Sequence, residues 1–339
     1  MKLGIIGCGL IGNKRANAID KNDAIVGVCD VNAAIGKKLA GNLKTKFYSD
    51  YKKLISETKP DAVVVAVVNK YIKDIVIYAL KNGVSVLAEK PLGRNAKESA
   101  EMLDVLKKQK ALHKKNLVLK TGFNHRFHPA MLKAREYMDK KLIGDVMFIR
   151  AVYGHGGRNG MEKEWRASKE LCGGGELLDQ GVHIIDLCRW FAGDIKELFG
   201  KIDTKFWNMK VEDNAFVYMK SKSGIDIQFN VSWTNWKNKF LLEIFGKKGY
   251  IKIEGLGGSY GNESIELGLR KPEGGVPVIK KITYPKIDYS WKKEWTEFKK
   301  AIKTGKEFLG NHTDGFMANV IIENIYKSSK QNKPVRIAI

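Results

Sequence analysis

The chain has 339 residues, 44% of them hydrophobic and 29% charged, which is globular and long enough for two domains with a core each. Its net charge of +23 comes from lysines dispersed along the chain, in pairs such as Lys107-Lys108, Lys114-Lys115 and Lys247-Lys248. Dispersed lysines favour solvated surfaces, or a field that attracts anionic substrates, over a nucleic-acid interface. The apolar run 62–68 is far too short to span a bilayer. Neither nucleic acid nor a membrane is therefore an expected partner.

The first part of the chain alternates between strand and helix patterns. Apolar runs predict strands at Leu3–Ile6, Ile25–Cys29, Ala62–Val67, Val84–Ala88 and Leu117–Thr121. Helical patterns lie between them at Ile11–Asp20, Ala33–Leu43, Ile72–Asn82 and Ala96–Gln109. This alternation predicts an α/β domain over residues 1–122 with a doubly wound parallel sheet.

The second part, residues 123–339, has a different rhythm. Helices are predicted at Pro129–Lys140, Glu176–Phe191, Trp291–Lys303 and Asp314–Lys330. Strands are predicted at Val146–Tyr153, Asn214–Lys220, Ile225–Trp233, Phe240–Phe245, Tyr250–Glu254, Ser264–Leu269 and Val276–Tyr284. These elements predict an α+β domain with a large, mainly antiparallel open sheet. The C-terminal helices are candidates to pack back on the first domain.

Four cysteines, Cys8, Cys29, Cys172 and Cys188, show neither metal-type nor redox-type spacing. Three of them lie in apparent core segments. We therefore expect reduced, packed thiols and a cytoplasmic location.

A glycine-rich turn follows the first predicted strand. Gly7-Cys8-Gly9-Leu10-Ile11-Gly12 is a G-x-G-x-x-G sequence that ends a strand and opens a helix. Gly7 permits the tight turn, Gly9 lets a pyrophosphate approach the backbone, and Gly12 allows close helix–strand packing. The helix N-terminus supplies N–H donors to the phosphates. The pattern predicts a dinucleotide site; the alternative is a glycine turn that holds no nucleotide.

Asp30 ends the second predicted strand, where a carboxylate binds the ribose hydroxyls of NAD and repels the 2′-phosphate of NADP. NAD is therefore the expected cofactor. Lys37 and Lys38 keep NADP as a second candidate.

Two polar residues follow strands of the same predicted sheet. Lys90, in Glu89-Lys90-Pro91, comes after an apolar strand, where an open α/β sheet places its ligand crevice. Pro91 restricts the backbone of Lys90 and allows a cis peptide bond. Asn69 follows the strand before it and is either a nicotinamide contact or a turn residue.

A second glycine motif, Gly173-Gly174-Gly175, precedes an apolar helix, and we interpret its glycines as letting the backbone approach a ligand. Asp179 and His183 share one face of that helix, and Asp186 is three residues further on. A buried carboxylate and imidazole without a function are costly. An acid/base pair, oriented by Asp186, is favoured over a structural pair or a metal site made of all three residues.

Each remaining candidate for ligand contact also has an ordinary structural interpretation. Arg126 and Arg166 suit anionic groups but also surface ion pairs. Trp165 is a candidate to pack on the cofactor or a sugar, as is Trp233 on a sugar, although a tryptophan in a sheet is usually a core residue. The loop 155–158 is a candidate to close over the substrate, or a plain turn.

These motifs together resemble the glucose–fructose oxidoreductase / inositol dehydrogenase / rhizopine-catabolism (Gfo/Idh/MocA) family. The resemblance runs over the whole chain, through 7–12, Asp30, 89–91, 122–129, 165–166 and 173–186. The chain departs from the Thr-Pro-Asn-x-x-His pattern of many members, because it has Val67-Val68-Asn69-Lys70-Tyr71-Ile72.

The resemblance implies an N-terminal Rossmann domain, NAD(P)-dependent oxidation or reduction of sugars and polyols, and homodimers or homotetramers through the open sheet. It matches the family's catalytic residues to Lys90, Asp179 and His183, and makes Tyr289 a candidate for substrate contact. Arg126, Tyr289 and Trp233 form the expected substrate set. The expected cofactor set is Gly7, Gly9, Leu10, Ile11, Gly12, Asp30, Asn69, Glu89, Lys90, Trp165 and Arg166. No metal is expected.

Within this framework, the expected activity is hydride transfer between nicotinamide and an inositol-like, hexose-derived or nucleotide-sugar carbinol. His183 would take the hydroxyl proton, and Lys90 would stabilise the alkoxide or carry the proton itself. Two alternatives stay open, an NAD-dependent glycosidase that uses transient oxidation and a non-catalytic NAD-sensing regulator.

Overall fold

The structure is a computed structural model that describes residues 1–113 and 116–337, so Lys114 and Lys115 lie outside the described residues. These residues form two compact units. The first unit combines Met1–Asn124 with Trp291–Asn319, and the second combines His125–Ser290 with the chain from Val320 onward.

The first unit contains a six-stranded sheet. Its strands are β1 (Lys2–Ile6), β2 (Ala24–Cys29), β3 (Phe47–Tyr48), β4 (Ala62–Val65), β5 (Ser85–Ala88) and β6 (Leu119–Thr121). They lie in the order β3-β2-β1-β4-β5-β6, and each neighbouring pair is parallel. The connecting helices are α1 (Leu10–Ala18), α2 (Ala33–Leu43), α3 (Tyr51–Thr58), α4 (Asn69–Lys81) and α5 (Ala96–His113). The predicted doubly wound parallel sheet is confirmed.

A C-terminal segment completes the core of the first unit. Trp295 and Phe298 are buried in one apolar cluster with Leu3, Val64 and Leu87 from the sheet strands. Each fully buried side chain of this size contributes about 1.5–3 kcal/mol to folding. These two aromatic residues belong to α9 (Ser290–Thr304), which is followed by α10 (His312–Gln331).

The second unit contains a nine-stranded sheet. Its strands are β7 (Val146–Gly154), β8 (Ile195–Asp203), β9 (Asn214–Ser221), β10 (Asp226–Ser232), β11 (Lys239–Gly246), β12 (Gly249–Glu254), β13 (Ser264–Leu269), β14 (Val278–Thr283) and β15 (Val335–Arg336). The order is β14-β13-β12-β11-β7-β10-β9-β8-β15. Among the described strands, β7 and β10 pair in parallel and the other neighbours pair antiparallel. This confirms the predicted large, mainly antiparallel sheet.

The two faces of the nine-stranded sheet differ in burial. Along β7, Ile149 and Ala151 are buried whereas Phe148 and Arg150 point to the exposed side. The buried face packs against α6 (Pro129–Asp139) and α8 (Val182–Ala192). This alternation is the period of two that a half-buried strand requires.

The helix predicted from Glu176 is irregular at its start. Leu177–Gly181 form one π-helical turn that leads directly into α8. The short helix α7 (Lys169–Cys172) precedes the glycine motif. Such π-turns are rare and frequently lie at functional sites. This one contains Asp179.

All four cysteines lie within the described residues, where none of them forms a disulfide, and all four are buried. Among the described residues, no helix is both long and apolar enough to cross a membrane.

Candidate active site

The glycine loop after β1 has the shape that a dinucleotide requires. Gly7 has φ +95°, and a Cβ there would lie 2.1 Å from the carbonyl oxygen of Ala66. A Cβ on Gly12 would lie 1.9 Å from the carbonyl oxygen of Gly7, so helix α1 can approach the loop only through glycine. A Cβ on Gly9 would meet no atom within 4 Å. The open space at Gly9, in front of the N-terminus of α1, fits a pyrophosphate.

Asp30 follows β2 and also holds the glycine loop. Its Oδ2 accepts a hydrogen bond from the Cys8 backbone N–H at 2.7 Å, and its Oδ1 accepts one from Asn32 N–H at 2.8 Å. The carboxylate is half-buried, and each oxygen has lone-pair capacity for a further donor. Asp30 therefore fits the ribose hydroxyls of NAD, and its charge disfavours a 2′-phosphate.

Glu89 lies in a buried ion pair. Its side chain accepts from Nε of Arg15 at 2.7 Å, and Arg15 also binds Glu294 of α9. Burial alone would lower the pKa of Arg15, but the charges of Glu294 and Glu89 raise it, so the guanidinium stays protonated. The predicted contact between Glu89 and the cofactor stays a prediction. The structure gives this carboxylate a partner, Arg15, that sequence patterns did not indicate.

Lys90 is half-buried and follows β5, at the carboxyl edge of the parallel sheet. Its backbone N–H donates to Oε2 of Glu89 at 3.3 Å, and its peptide bond to Pro91 is cis. Asn69 is the first residue of α4, 6% exposed, after β4 at the same edge. Both residues therefore lie where an open α/β sheet binds ligands.

Two glycines of the second motif, Gly174 and Gly175, lie in close contact with other residues of the second unit. A Cβ on Gly174 would lie 2.1 Å from Oη of Tyr326, and a Cβ on Gly175 would lie 2.0 Å from the carbonyl oxygen of Glu212. At these two positions glycine permits the approach of Tyr326 and Glu212. The sequence had suggested approach to a ligand instead.

Glu212 holds the start of the π-turn. Its Oε1 accepts hydrogen bonds from Gly175 N–H at 3.0 Å, Leu177 N–H at 3.1 Å and the Tyr326 hydroxyl at 2.8 Å. Burial raises the pKa of Glu212, although these hydrogen bonds oppose the rise. The geometry of the turn before Asp179 therefore depends on one buried carboxyl group that sequence reasoning missed.

Asp179 lies beside Arg166. Nε of Arg166 is 3.3 Å from Oδ2 of Asp179, and the guanidinium lies over the Trp165 ring at 4.5 Å. The structure thus brings two predicted cofactor-binding residues to a predicted catalytic residue. Their contacts with the cofactor stay predictions.

Asp186 pairs with a buried arginine that the sequence did not suggest as its partner, and its predicted orienting role toward His183 stays a prediction. Both of its oxygens accept from Arg126, at 2.8 and 2.6 Å, and the Trp190 ring lies over that guanidinium at 5.6 Å. Arg126 is 4% exposed, so its substrate contact stays a prediction while its ion pair is observed. Within residues 1–113 and 116–337, no three His, Cys, Asp or Glu side chains are grouped to hold a metal ion.

His183 is stacked on a second histidine. The rings of His125 and His183 lie 3.6 Å apart at 10°, and both side chains are buried. His125 belongs to a short 3₁₀ turn, Asn124–Phe127, in a motif that carried the family resemblance, and the sequence assigned His125 itself no role. Its spacing from His183 follows no short-range pattern, so only the folded chain shows the pair.

The other candidates divide between core and surface. Trp233 is fully buried in a cluster with Met161 and Val211, which is the ordinary core role considered for it. Tyr289 is 44% exposed, so its side chain is accessible to a ligand. In the loop 155–158, a Cβ on Gly157 would lie 2.4 Å from the Trp207 ring, so this glycine packs closely.

Comparison with known proteins identifies the family of both parts. Residues 1–115 match the oxidoreductase family with an NAD-binding Rossmann fold, and residues 131–252 match the GFO/IDH/MocA C-terminal domain. Together the two matches cover well over half of the chain.

Individual relatives agree with this assignment. The myo-inositol 2-dehydrogenase of Thermotoga maritima is 26% identical over an alignment of 346 positions, gaps included, which covers 99% of this chain and 98% of that protein. The trans-1,2-dihydrobenzene-1,2-diol dehydrogenase of Xenopus tropicalis is 31% identical over 191 residues, 54% of each protein.

Solved structures share the fold. Levoglucosan dehydrogenase in complex with NADH and levoglucosan superposes with a TM-score of 0.89 at 20% identity, over 100% of both chains. The family matches, the two sheets and the glycine loop lead to one conclusion, which the resemblance of the motifs implied: the chain belongs to the Gfo/Idh/MocA family and is an NAD-binding oxidoreductase.

Proposed function

We propose that this oxidoreductase transfers hydride between NAD and a carbinol of a sugar or polyol. The observation that carries the proposal is the presence of Lys90, Asp179 and His183 in a chain with an intact NAD loop. The names of relatives, which include inositol and levoglucosan dehydrogenases, support this substrate class.

The proposed chemistry gives each residue one task. Bound NAD⁺ supplies the hydride acceptor. His183 takes the hydroxyl proton, since an imidazole suits proton transfer near neutral pH. The carbinol carbon gives up hydride, so the product is a carbonyl compound. Lys90 stabilises the charge on the oxygen.

Asp179 is proposed to bind a neighbouring substrate hydroxyl or to orient the reacting group. Its contact with Arg166 supports this role, because the 3.3 Å ion pair keeps the carboxylate in one position. In the alternative assignment, Lys90 and not His183 carries the proton. The pH dependence of the rate, measured for variants of each residue, distinguishes the two assignments.

A substrate screen tests the proposal. Inositols, hexoses, anhydrosugars, phosphorylated sugars and UDP-sugars would each be offered with NAD⁺ and with NADP⁺, and reduced cofactor followed by absorbance. We expect steady NADH formation with at least one polyol and a preference for NAD⁺, because Asp30 disfavours the 2′-phosphate. A parallel arm would offer glycosides and follow their cleavage, where cleavage without net NADH would support the glycosidase alternative instead. No response in any arm would contradict both.

We also propose that two copies of the chain form a homodimer through the exposed face of the nine-stranded sheet. Phe148, Phe245 and Tyr250 stack in a row across β7, β11 and β12, with ring centroids 4.7 and 5.7 Å apart. Phe216 and Tyr218 on β9 are 50% and 43% exposed. A row of aromatic side chains on one sheet face is typical of a protein interface.

A cytoplasmic location is also part of the proposal. The four buried cysteines support it, because none of them forms a disulfide and a reducing compartment keeps cysteines in the thiol form.

A further inference from the structure

The stacked histidine pair defines how the ring of His183 is held. The 3.6 Å separation and 10° angle between His125 and His183 are those of face-to-face contact. His125 is 6% exposed and His183 is 4% exposed, so water does not compete for these faces.

His125 is itself fixed by a buried tyrosine. Its Nε2 lies 3.1 Å from Oη of Tyr153, a hydrogen bond whose donor depends on the tautomer. Tyr153 is 4% exposed, and burial raises its pKa well above the ordinary value, so it stays a neutral phenol. The His125 ring therefore has both an anchored edge and a covered face.

The anchor continues back to the π-turn. The rings of Tyr153 and Tyr260 meet edge to face, with their centroids 4.9 Å apart. The Tyr260 hydroxyl accepts from Nε2 of Gln180 at 2.6 Å. Gln180 follows Asp179 directly. One chain of contacts thus leads from the His183 ring through His125, Tyr153 and Tyr260 to the neighbour of Asp179.

The geometry of the stack excludes a proton relay through it. The N–H bonds of an imidazole lie in the plane of its ring, so two parallel rings cannot donate to each other across their faces. The stack covers a face of His183 and leaves the ring edge, which carries the nitrogens, outside the contact. His125 can therefore set the orientation of His183 without taking its proton.

We propose that His125 is a positioning residue for His183. Its ring holds the plane of the His183 imidazole, and the Tyr153–Tyr260–Gln180 chain couples that plane to the turn that contains Asp179. The consequence for catalysis rests on the proposed function, in which His183 takes the substrate proton. A displacement of about 1 Å at such a group can lower turnover by about 100-fold.

Two substitutions at one position separate stacking from hydrogen bonding. His125→Ala removes the ring, and we expect kcat to fall about 100-fold while the substrate KM changes less than about two-fold. His125→Phe keeps a flat ring but loses the hydrogen bond to Tyr153, and we expect it to restore kcat to within about ten-fold of wild type. A His125→Phe enzyme as slow as His125→Ala would overturn the proposal, because it would assign the effect to the His125 nitrogens.

Matched tyrosine variants test the anchor. Tyr153→Phe removes the hydroxyl that holds His125, and we expect kcat to fall about five- to ten-fold, again with little change in KM. Tyr137→Phe removes a hydroxyl from a tyrosine that is also buried in the second unit, at 6% exposure, and that lies outside this chain. It should leave kcat unchanged. Equal losses in both variants would indicate a general packing effect and contradict a positioning role.

An NMR measurement tests whether the His125 ring stacks on His183, and it does not depend on enzyme activity. In NMR spectra of the full chain, whose six histidines can be assigned by substitution, the ring protons of His183 should be shifted upfield by the His125 ring current. The shift should vanish in His125→Ala and persist in His125→Phe. Its absence from the wild type would overturn the proposal. If the shift behaves as expected but no polyol is oxidised, the proposed function fails and the positioning of His183 stands.

Discussion

At the scale of single residues, the first unit contains a buried network of four charged groups whose charges cancel. Arg15 and Lys120 are positive, Glu89 and Glu294 are negative, and each side chain is at most 10% exposed. Nζ of Lys120 lies 3.5 Å from Oε1 of Glu294, and Arg15 joins Glu294 to Glu89. Because Glu89 also accepts from the backbone N–H of Lys90, this network supports the peptide that carries the proposed catalytic lysine.

We predict that Glu294→Gln strongly destabilises the protein. The substitution leaves Arg15 and Lys120 buried with one carboxylate between them, and an uncompensated buried charge costs about 3–5 kcal/mol. Glu57→Gln is the matched control, because Glu57 pairs with Lys46 on the exposed surface. Chemical unfolding of the two variants should show a large loss for the first and almost none for the second. A Glu294→Gln protein as stable as wild type would refute the role of this network.

At the scale of elements, the apolar runs predicted most of the sheet strands, and the glycine loop and Lys90 could be placed by their position after a strand. The strands β3, β8 and β15 and the helix α3 were missed. For β3 and β15 the reason is their length, because a run of two residues gives no periodicity. The pairing of Arg15 with Glu294 joins residues 279 positions apart, and no local pattern indicates it. The His125–His183 stack escaped prediction for the same reason.

The glycine motif before Asp179 gives a prediction at this scale. Gly174→Ala should destabilise the protein by about 1–3 kcal/mol, because its Cβ would collide with Oη of Tyr326. Tyr326→Phe removes that oxygen, so the same alanine should cost less in the Tyr326→Phe background. Unfolding measurements on the four proteins of this cycle would show the coupling. If Gly174→Ala lowered the free energy of unfolding equally in both backgrounds, contact with Tyr326 would not be the reason for a glycine at position 174.

At the scale of the whole molecule, the proposed dimer predicts the mass in solution. Light scattering should show a dimer for the wild type and a smaller mass for Phe216→Glu, which places a charge in the exposed face of β9. Leu112→Glu is the control, because Leu112 is 71% exposed at the end of α5 and outside the nine-stranded sheet. A monomeric wild type, or a Phe216→Glu protein that keeps the wild-type mass, would contradict the proposed interface.

The proposed role of Lys90 and His183 is to carry the chemistry of an NAD-dependent polyol dehydrogenase. Its most direct test is the initial rate of NADH formation, with the best substrate of the screen, for wild type, His183→Ala, Lys90→Ala and the exposed-lysine control Lys108→Ala. Loss of a positioned acid/base group or of charge stabilisation should lower kcat by about 100-fold or more in His183→Ala and Lys90→Ala. The kcat of Lys108→Ala should equal that of wild type. Turnover within a few-fold of wild type in either His183→Ala or Lys90→Ala would contradict the role assigned to that residue.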